Sequence, residues 1–277
     1  MLSVNDHSRE SAGLSHVYPV VSRRAGGVSI GINLNVNNAC NWACVYCQVP
    51  NLVRGGPPPI NLQQLASELR TFLSAAIDGD FLELNVPPEA RRLVDVAFSG
   101  NGEPTSAAEF DAAVEVVDQV LREFSLRDQL KVRLITNGSF MHRPQVRQGI
   151  SRLGAMQGEV WFKVDRASAE GVARVNGTQL APERIRTALL ECAALADTWV
   201  QTCYFAIDGE APDAGEQQAY LDLIAAVRAK IKGVHLYGLA RPSLQPGAEK
   251  LSNLPAEEFR QFAQRIAALG VQVVANP

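Results

Sequence analysis

Short runs of β-branched and apolar residues recur along the chain, separated by longer stretches whose apolar positions fall three and four apart. The first run, VSIGINL over 28–34, predicts a strand. Further strands are predicted over 93–98, 131–136, 159–164, 198–207 and 233–238, with a short last one over 271–275. Between the first two, Leu62, Leu65, Leu69, Phe72, Leu73 and Ala76 repeat at helical spacing. Helices are likewise expected over 107–124, 143–153, 182–196, 217–231 and 255–269, with Pro144 and Pro182 tolerated in a first turn. The Gly/Pro stretch 55–59 must be loop. Residues 1–27 are polar and irregular and read as an N-terminal extension, with 17–21 packing on the end of the core that fills 28–277. Strands of about six residues alternating with helices argue for parallel β/α units. Six such units in succession predict a partial (β/α)6 TIM-like barrel; an open doubly wound sheet is the other architecture the spacing allows.

Composition narrows the picture little. With 277 residues, 47% of them apolar, a sizeable core is available. The net charge of -3 does not advertise a nucleic-acid module, whose affinity rests on phosphate neutralisation. The pairs Arg23-Arg24 and Arg91-Arg92 read as solvated surface sites or as the seed of a basic patch. No run of about 18 apolar residues predicts a membrane span, and the start MLSVNDHSRESAGLSH lacks the features of a secretory signal. The expected compartment is the cytoplasm. In that reducing setting, close-set cysteines point to metal or redox chemistry rather than disulfides.

Three of the five cysteines lie within eight residues, in CNWACVYC. Cys40, Cys44 and Cys47 have the spacing C-x₃-C-x₂-C. Three thiolates on one loop suit a cubane iron–sulfur cluster and leave one iron without a protein ligand. A structural zinc site asks for four ligands. Cys192 and Cys203 read as core thiols, and nothing in the spacing of His142 or His235 calls either to a metal.

CNWACVYC resembles the signature of the radical S-adenosylmethionine (SAM) superfamily, with Tyr46 as the aromatic before the third cysteine. The resemblance implies a [4Fe–4S] cluster whose open iron is chelated by the amino and carboxylate groups of SAM. It implies a 5′-deoxyadenosyl radical that abstracts hydrogen from a substrate, with flavodoxin or ferredoxin as electron donor. The second strand then runs into Ser99-Gly100-Asn101-Gly102-Glu103-Pro104-Thr105. Alone, this is a turn before a helix, with Thr105 or Ser106 as N-cap. It is similar to the Gly-Gly-Glu-Pro motif of the family, whose carbonyls receive the SAM ammonium, with an asparagine set between the glycines. On that basis Tyr46, Gly100, Asn101, Gly102, Glu103 and Asn137 are the cofactor-binding candidates.

Other polar residues fall at predicted strand ends: Asn137 in TNG, Lys163 and Asp165 in WFKVDR, and Arg241 in YGLARPS. Lys163 and Asp165 alternate with Val164 and so share one face. A barrel filled only for stability prefers branched apolar groups inside, whereas barrels build sites from strand ends. Lys163, Asp165 and Arg241 are therefore the catalytic candidates, weighed against strand-end charges in solvent.

The pattern looks most like the branch containing wyosine-type tRNA synthases and glycyl-radical-enzyme activases. Three functions stay open. One is modification of a nucleic-acid base, in tRNA above all. Another is hydrogen abstraction from a protein, peptide or small molecule. The last is a non-catalytic iron–sulfur electron carrier or binding module, which leaves the missing fourth cysteine and the glycine turn unexplained.

Overall fold

The structure, a computed structural model, describes residues 13–22 and 26–277. Its centre is one sheet of eight strands: β1 (Val17–Ser22), β2 (Gly27–Ile32), β3 (Leu93–Phe98), β4 (Lys131–Thr136), β5 (Glu159–Lys163), β6 (Asp197–Cys203), β7 (Gly233–Tyr237) and β8 (Val273–Asn276). Their spatial order is their chain order. From β2 to β8 every pairing is parallel, and β1 runs antiparallel to β2. A doubly wound sheet reverses its strand order at a switch point. This sheet never does, so the barrel reading holds. Among the described residues β1 and β8 do not pair, and the barrel is partial.

Alternation along the strands sorts the side chains into two layers. Val28, Ile30, Ile32, Val96, Phe98, Val132, Leu134, Val160, Phe162, Val200, Val234 and Leu236 are buried against the helices. Fully burying a side chain of this size contributes about 1.5–3 kcal/mol. The opposite set, Ser29, Asp95, Arg133, Trp161, Lys163, Gln201 and Tyr237, faces a common interior. The covering helices are α1 (Leu62–Ile77), α2 (Phe110–Glu123), α3 (Pro144–Ala155), α4 (Ala169–Asn176), α5 (Pro182–Ala193), α6 (Ala214–Val227) and α7 (Ala256–Ala267). None of the described helices is long and apolar enough to cross a membrane.

Four differences from the sequence reading have physical causes. The 17–21 segment does not pack across the barrel end; it is β1, an edge strand whose Tyr18 ring lies flat over Gly31 where a Cβ would stand. Thr105 and Ser106 do not cap a helix at 107. They lie in a 3₁₀ turn, Pro104–Ser106, that Glu103 caps, and α2 begins only at Phe110. The strand expected over 198–207 stops at Cys203, and Ala206–Ile207 turns aside to pair with Leu251–Ser252. Helix α4 was not expected, because eight residues are too few to show a period. Its Ser168 N-cap accepts from Gly171 N–H at 2.9 Å, and Gly177 closes it in the left-handed conformation.

Arg91 and Arg92 serve the backbone. Arg91 donates to the carbonyls of Glu83 at 2.8 Å and Val86 at 3.0 Å, and Arg92 to that of Gly26 at 3.0 Å. Arg23 and Arg24, like residues 1–12 of the N-terminal extension, lie outside the described residues.

Candidate active site

The chain leaves β2 through a run of asparagines that hold the cysteine loop. Asn33 Oδ1 accepts from the backbone N–H of both Asn35 and Asn101, each at 3.1 Å. Asn35 Nδ2 donates to the Ala39 carbonyl at 2.9 Å and to Ser106 Oγ at 3.2 Å. These bonds clamp the loop to the glycine turn after β3, and two glycines make the approach possible. Gly100 has φ 147°, and a Cβ there would strike the Asn33 side chain; one on Gly102 would strike the Ala39 carbonyl.

The other sides of the loop are held as firmly. At the end of α4, the carbonyls of Val175 and Asn176 accept from Val45 N–H at 2.9 Å and Ala43 N–H at 3.0 Å. Asn176 Nδ2 donates to Cys44 Sγ at 3.3 Å and to Asp165 Oδ2 at 2.7 Å. Beyond β7, Ser243 Oγ donates to the Val45 carbonyl at 2.7 Å, and Leu244 N–H to that of Cys47 at 2.9 Å. Trp42 N–H points at Cys40 Sγ at 3.5 Å.

Cys40, Cys44 and Cys47 line one cavity of about 390 Å³ that runs down into the barrel. Tyr46, Gly100, Gly102, Glu103, Asn137, Lys163 and Arg241 line it too. Burial pushes the Cys40 thiol up to about 11, against the backbone N–H of Trp42. It pushes Cys44 up to about 12, against the charge of Lys163. Both thiols would give up a proton to a metal. Among the described residues no group of three His, Cys, Asp or Glu side chains is arranged to hold a single metal ion. A cubane takes each thiolate on a different iron. N–H···S donors on two of the three sulfurs are what a thiolate-ligated cluster uses to stabilise its charge. The residues therefore fit a three-cysteine iron–sulfur cluster.

Glu103 is buried and tied off. Its carboxylate accepts from Thr105 N–H at 3.1 Å, Thr105 Oγ1 at 2.5 Å, Thr136 Oγ1 at 2.6 Å and Asn137 N–H at 2.7 Å. Burial still raises its pKa above the ordinary value, outweighing those donors. Its work is to fasten the glycine turn to the end of β4. Asn137 is fixed there as well, with Nδ2 donating to Asn41 Oδ1 at 3.0 Å. Tyr46 donates to Asp165 Oδ2 at 2.5 Å and accepts from Lys163 Nζ at 2.6 Å. Burial, then the Asp165 charge, drives the Tyr46 pKa well up. Burial is the largest influence on Lys163 and works against its charge, but Asp165, Tyr237, Cys44 and Cys203 together outweigh it and hold its pKa well above the ordinary value.

Two sequence candidates stand apart from the cavity. The Asn101 side chain turns to Asn38 Oδ1 at 2.6 Å. Asp165 is sealed behind Tyr46, its side chain wholly buried, and its other oxygen accepts from Cys203 N–H at 2.9 Å. It is a positioning residue rather than a wall of the site. Arg241 sits at the mouth, with Nη1 3.4 Å from Gln48 Oε1 beside Cys47. Cys192 and Cys203 are core thiols as expected, Cys203 in a small cluster with Val175 and Phe205 that also borders the cavity. His235 is stacked between Trp161 and Trp199, with ring centroids 4.7 and 4.6 Å away. Asn33, Asn35, Asn176 and Gln201 were missed. The Asn176-Gly177 dipeptide was the available signal, since it marks a helix end.

This fold, with strands in chain order around an open cavity, is a partial β/α barrel, and solved radical SAM proteins share it. Similar structures are SuiB from Streptococcus suis bound to S-adenosylmethionine and a radical SAM methyltransferase from Sphaerobacter thermophilus. The first has a TM-score of 0.56 at 11% identity, over 91% of this chain and 47% of that one. The second has a TM-score of 0.62 at 14% identity, over 94% and 68%. The protein anSMEcpe with bound AdoMet has a TM-score of 0.50 at 16% identity, over 88% and 62%. No protein-family model matches the chain. Curated relatives include GTPase Obg of Brachyspira hyodysenteriae, 28% identical over 137 residues, and UPF0026 protein MJ1312 of Methanocaldococcus jannaschii, 30% identical over 148. The matches take in 48% and 53% of this chain but only 17% and 39% of those relatives, well under half of each.

Proposed function

We propose that the chain is a radical SAM enzyme. The observation that carries this reading is the convergence, on one cavity inside a barrel of the radical SAM type, of Cys40, Cys44 and Cys47 with the Gly100–Glu103 turn. Cys40, Cys44 and Cys47 would hold a [4Fe–4S] cluster, and the turn would receive SAM. When bound, they supply one electron that breaks the C5′–S bond of SAM, releasing methionine and a 5′-deoxyadenosyl radical that takes a hydrogen atom from the substrate.

The chain's own contribution is support and enclosure. The asparagine clamp fixes the cysteine backbone, and Glu103 fixes the turn and Asn137. The Tyr46–Asp165–Lys163 group keeps a protonated amine at the wall. The barrel encloses the site, and the electron comes from a flavodoxin or ferredoxin. The kinship with wyosine-type synthases and glycyl-radical activases stays part of this reading, on the short cysteine loop and the G-N-G-E-P form. Arg91 and Arg92 donate to backbone carbonyls and stay exposed, and the size of the cavity favours a substrate group small enough to enter it.

The test is anaerobic reconstitution with iron and sulfide, then dithionite and SAM. Wild-type protein is expected to release 5′-deoxyadenosine and methionine. Cys40→Ala is expected to lose most of its iron and to release neither. Cluster-loaded wild-type protein that leaves SAM intact would overturn the reading.

A further inference from the structure

The barrel interior below the cysteine loop is polar, and almost all of that polarity is satisfied from within. Ser29 donates to Asp95, which pairs with Arg133, and Arg133 Nε reaches Glu159 at 3.2 Å. Lys163 is bonded to Tyr46 and lies 4.0 Å from Asp165. Tyr18 and Ser99 bond each other at 2.8 Å. Below the loop, Asp95, Arg133 and Glu159, and likewise Lys163 and Asp165, thus face opposite charges.

Gln201 is the exception. It stands mid-strand on β6, in register with Lys163 on one side and His235 on the other, and it lines the cavity. It is only 5% exposed, yet its carboxamide makes no hydrogen bond among the described residues. A barrel filled only for stability prefers a branched apolar side chain at such an inward position. The amide is turned to the one place from which a partner can come, the cavity.

Resting on the radical SAM reading, we propose that Gln201 is a specificity-determining residue that recognises an uncharged amide on the substrate, through the donor and the acceptor of its own carboxamide. The charges nearby are already matched, so the site does not call for an anion or a cation. A primary carboxamide offers N–H and C=O side by side, and an uncharged group that answers both at once is another amide, open-chain or in a ring. Trp161 and Tyr237 on the neighbouring strands line the cavity beside it. A cavity of about 390 Å³ is near the small end for ligand sites, so the amide belongs to a small molecule or to a single inserted group.

The experiment uses cluster-loaded protein saturated with S-adenosylhomocysteine and titrates four fragments by ligand-observed NMR. Benzamide and 2-pyridone carry an open-chain and a ring amide; benzoate and benzylamine are their charged counterparts. At least one amide is expected to bind about ten-fold or more tightly than either charged fragment. Whichever amide binds better identifies the source. Gln201→Met is expected to erase that preference, and Gln201→Asn, which keeps the amide but withdraws it, to retain part of it. Gln201→Met is also expected to melt at or above the wild-type temperature, because it removes a polar group without a partner.

Benzoate binding as tightly as the amides, no amide binding up to about 10 mM, or a preference that survives Gln201→Met would each overturn the proposal. So would a clear fall in melting temperature, which marks a structural glutamine, or a loss confined to S-adenosylhomocysteine affinity, which marks a cofactor contact. None of these readouts requires SAM cleavage, so failure here is distinguishable from failure of the radical SAM reading.

Discussion

The mouth of the barrel and its floor are both polar, but they use polarity for opposite ends. At the mouth, the side-chain amides of Asn33 and Asn35 satisfy backbone, and that of Asn176 bonds Cys44 Sγ and Asp165. Asn33, Asn35 and Asn176 hold an irregular loop in place so that three thiols can face a cavity. On the floor, side chains satisfy one another. Ser29, Asp95, Arg133 and Glu159 join four strands, and the Arg133 guanidinium lies 5.1 Å over the Trp161 ring. A loop carrying ligands needs its main chain fixed, because nothing regular fixes it. A partial barrel needs its strands tied across, because closure does not tie them. Gln201, between the two levels, does neither.

The sharpest way to break this comparison is at Arg133. Arg133→Met leaves the buried Asp95 without its cation and Glu159 with only Lys131, 4.0 Å away. Removing one partner of a buried pair destabilises by about 3–5 kcal/mol. For a chain of this size that is a fall in melting temperature of about 6–20 °C. Below its own melting point the variant should still take up iron like the wild type, since the loop's supports lie elsewhere. Iron loss in step with the stability loss, measured on the same reconstituted samples, would show that mouth and floor are one unit.

This division also explains what was readable from the chain. The strands announce themselves because their outer face is apolar, as in KVRLIT, where Val132 and Leu134 alternate with Lys131 and Arg133. The same alternation hides the floor. A polar inner face and a solvent face look alike until the sheet curls, so Asp95, Arg133 and Gln201 carry no mark of being enclosed. The cysteine loop was legible because its chemistry is local, three thiols within eight residues. Its supports were not. Asn176 lies 132 residues from Cys44, on a helix too short for a period, and Asp165 was placed on the right face but one layer too far forward.

Asn176 tests the mouth in turn, with a smaller effect on stability. Asn176→Ala removes a donor from buried Asp165 and one N–H from Cys44 Sγ. The cost is on the order of 1–3 kcal/mol, below that of the Arg133 change. The distinctive readout is redox. Donors to cluster sulfurs favour the more negative, reduced state and so raise its potential. The midpoint of the Asn176→Ala cluster, followed by EPR during a reductive titration, is expected to lie below that of the wild type. An unchanged midpoint would leave Asn176 as support for the loop and nothing more.

The smallest expected effect is a pH slope that belongs to the floor alone. Burial raises the Asp95 pKa above its ordinary 3.8, although Arg133 and Ser29 pull the other way. The native state therefore keeps this proton to a higher pH than the unfolded chain does. Between the two pKa values the folded protein binds more protons, so stability falls as pH rises through that window. The contribution is fully present below the unfolded value and lost above the native one. Asp95→Asn should flatten this slope in urea unfolding midpoints taken from pH 3.5 upward, in steps of about half a unit. In Arg133→Met the carboxyl loses its main downward pull, and the same slope should steepen and extend to higher pH. A slope that ignores both substitutions would place its origin outside the Ser29–Asp95–Arg133 group, and the floor would then be a packing device rather than an electrostatic one.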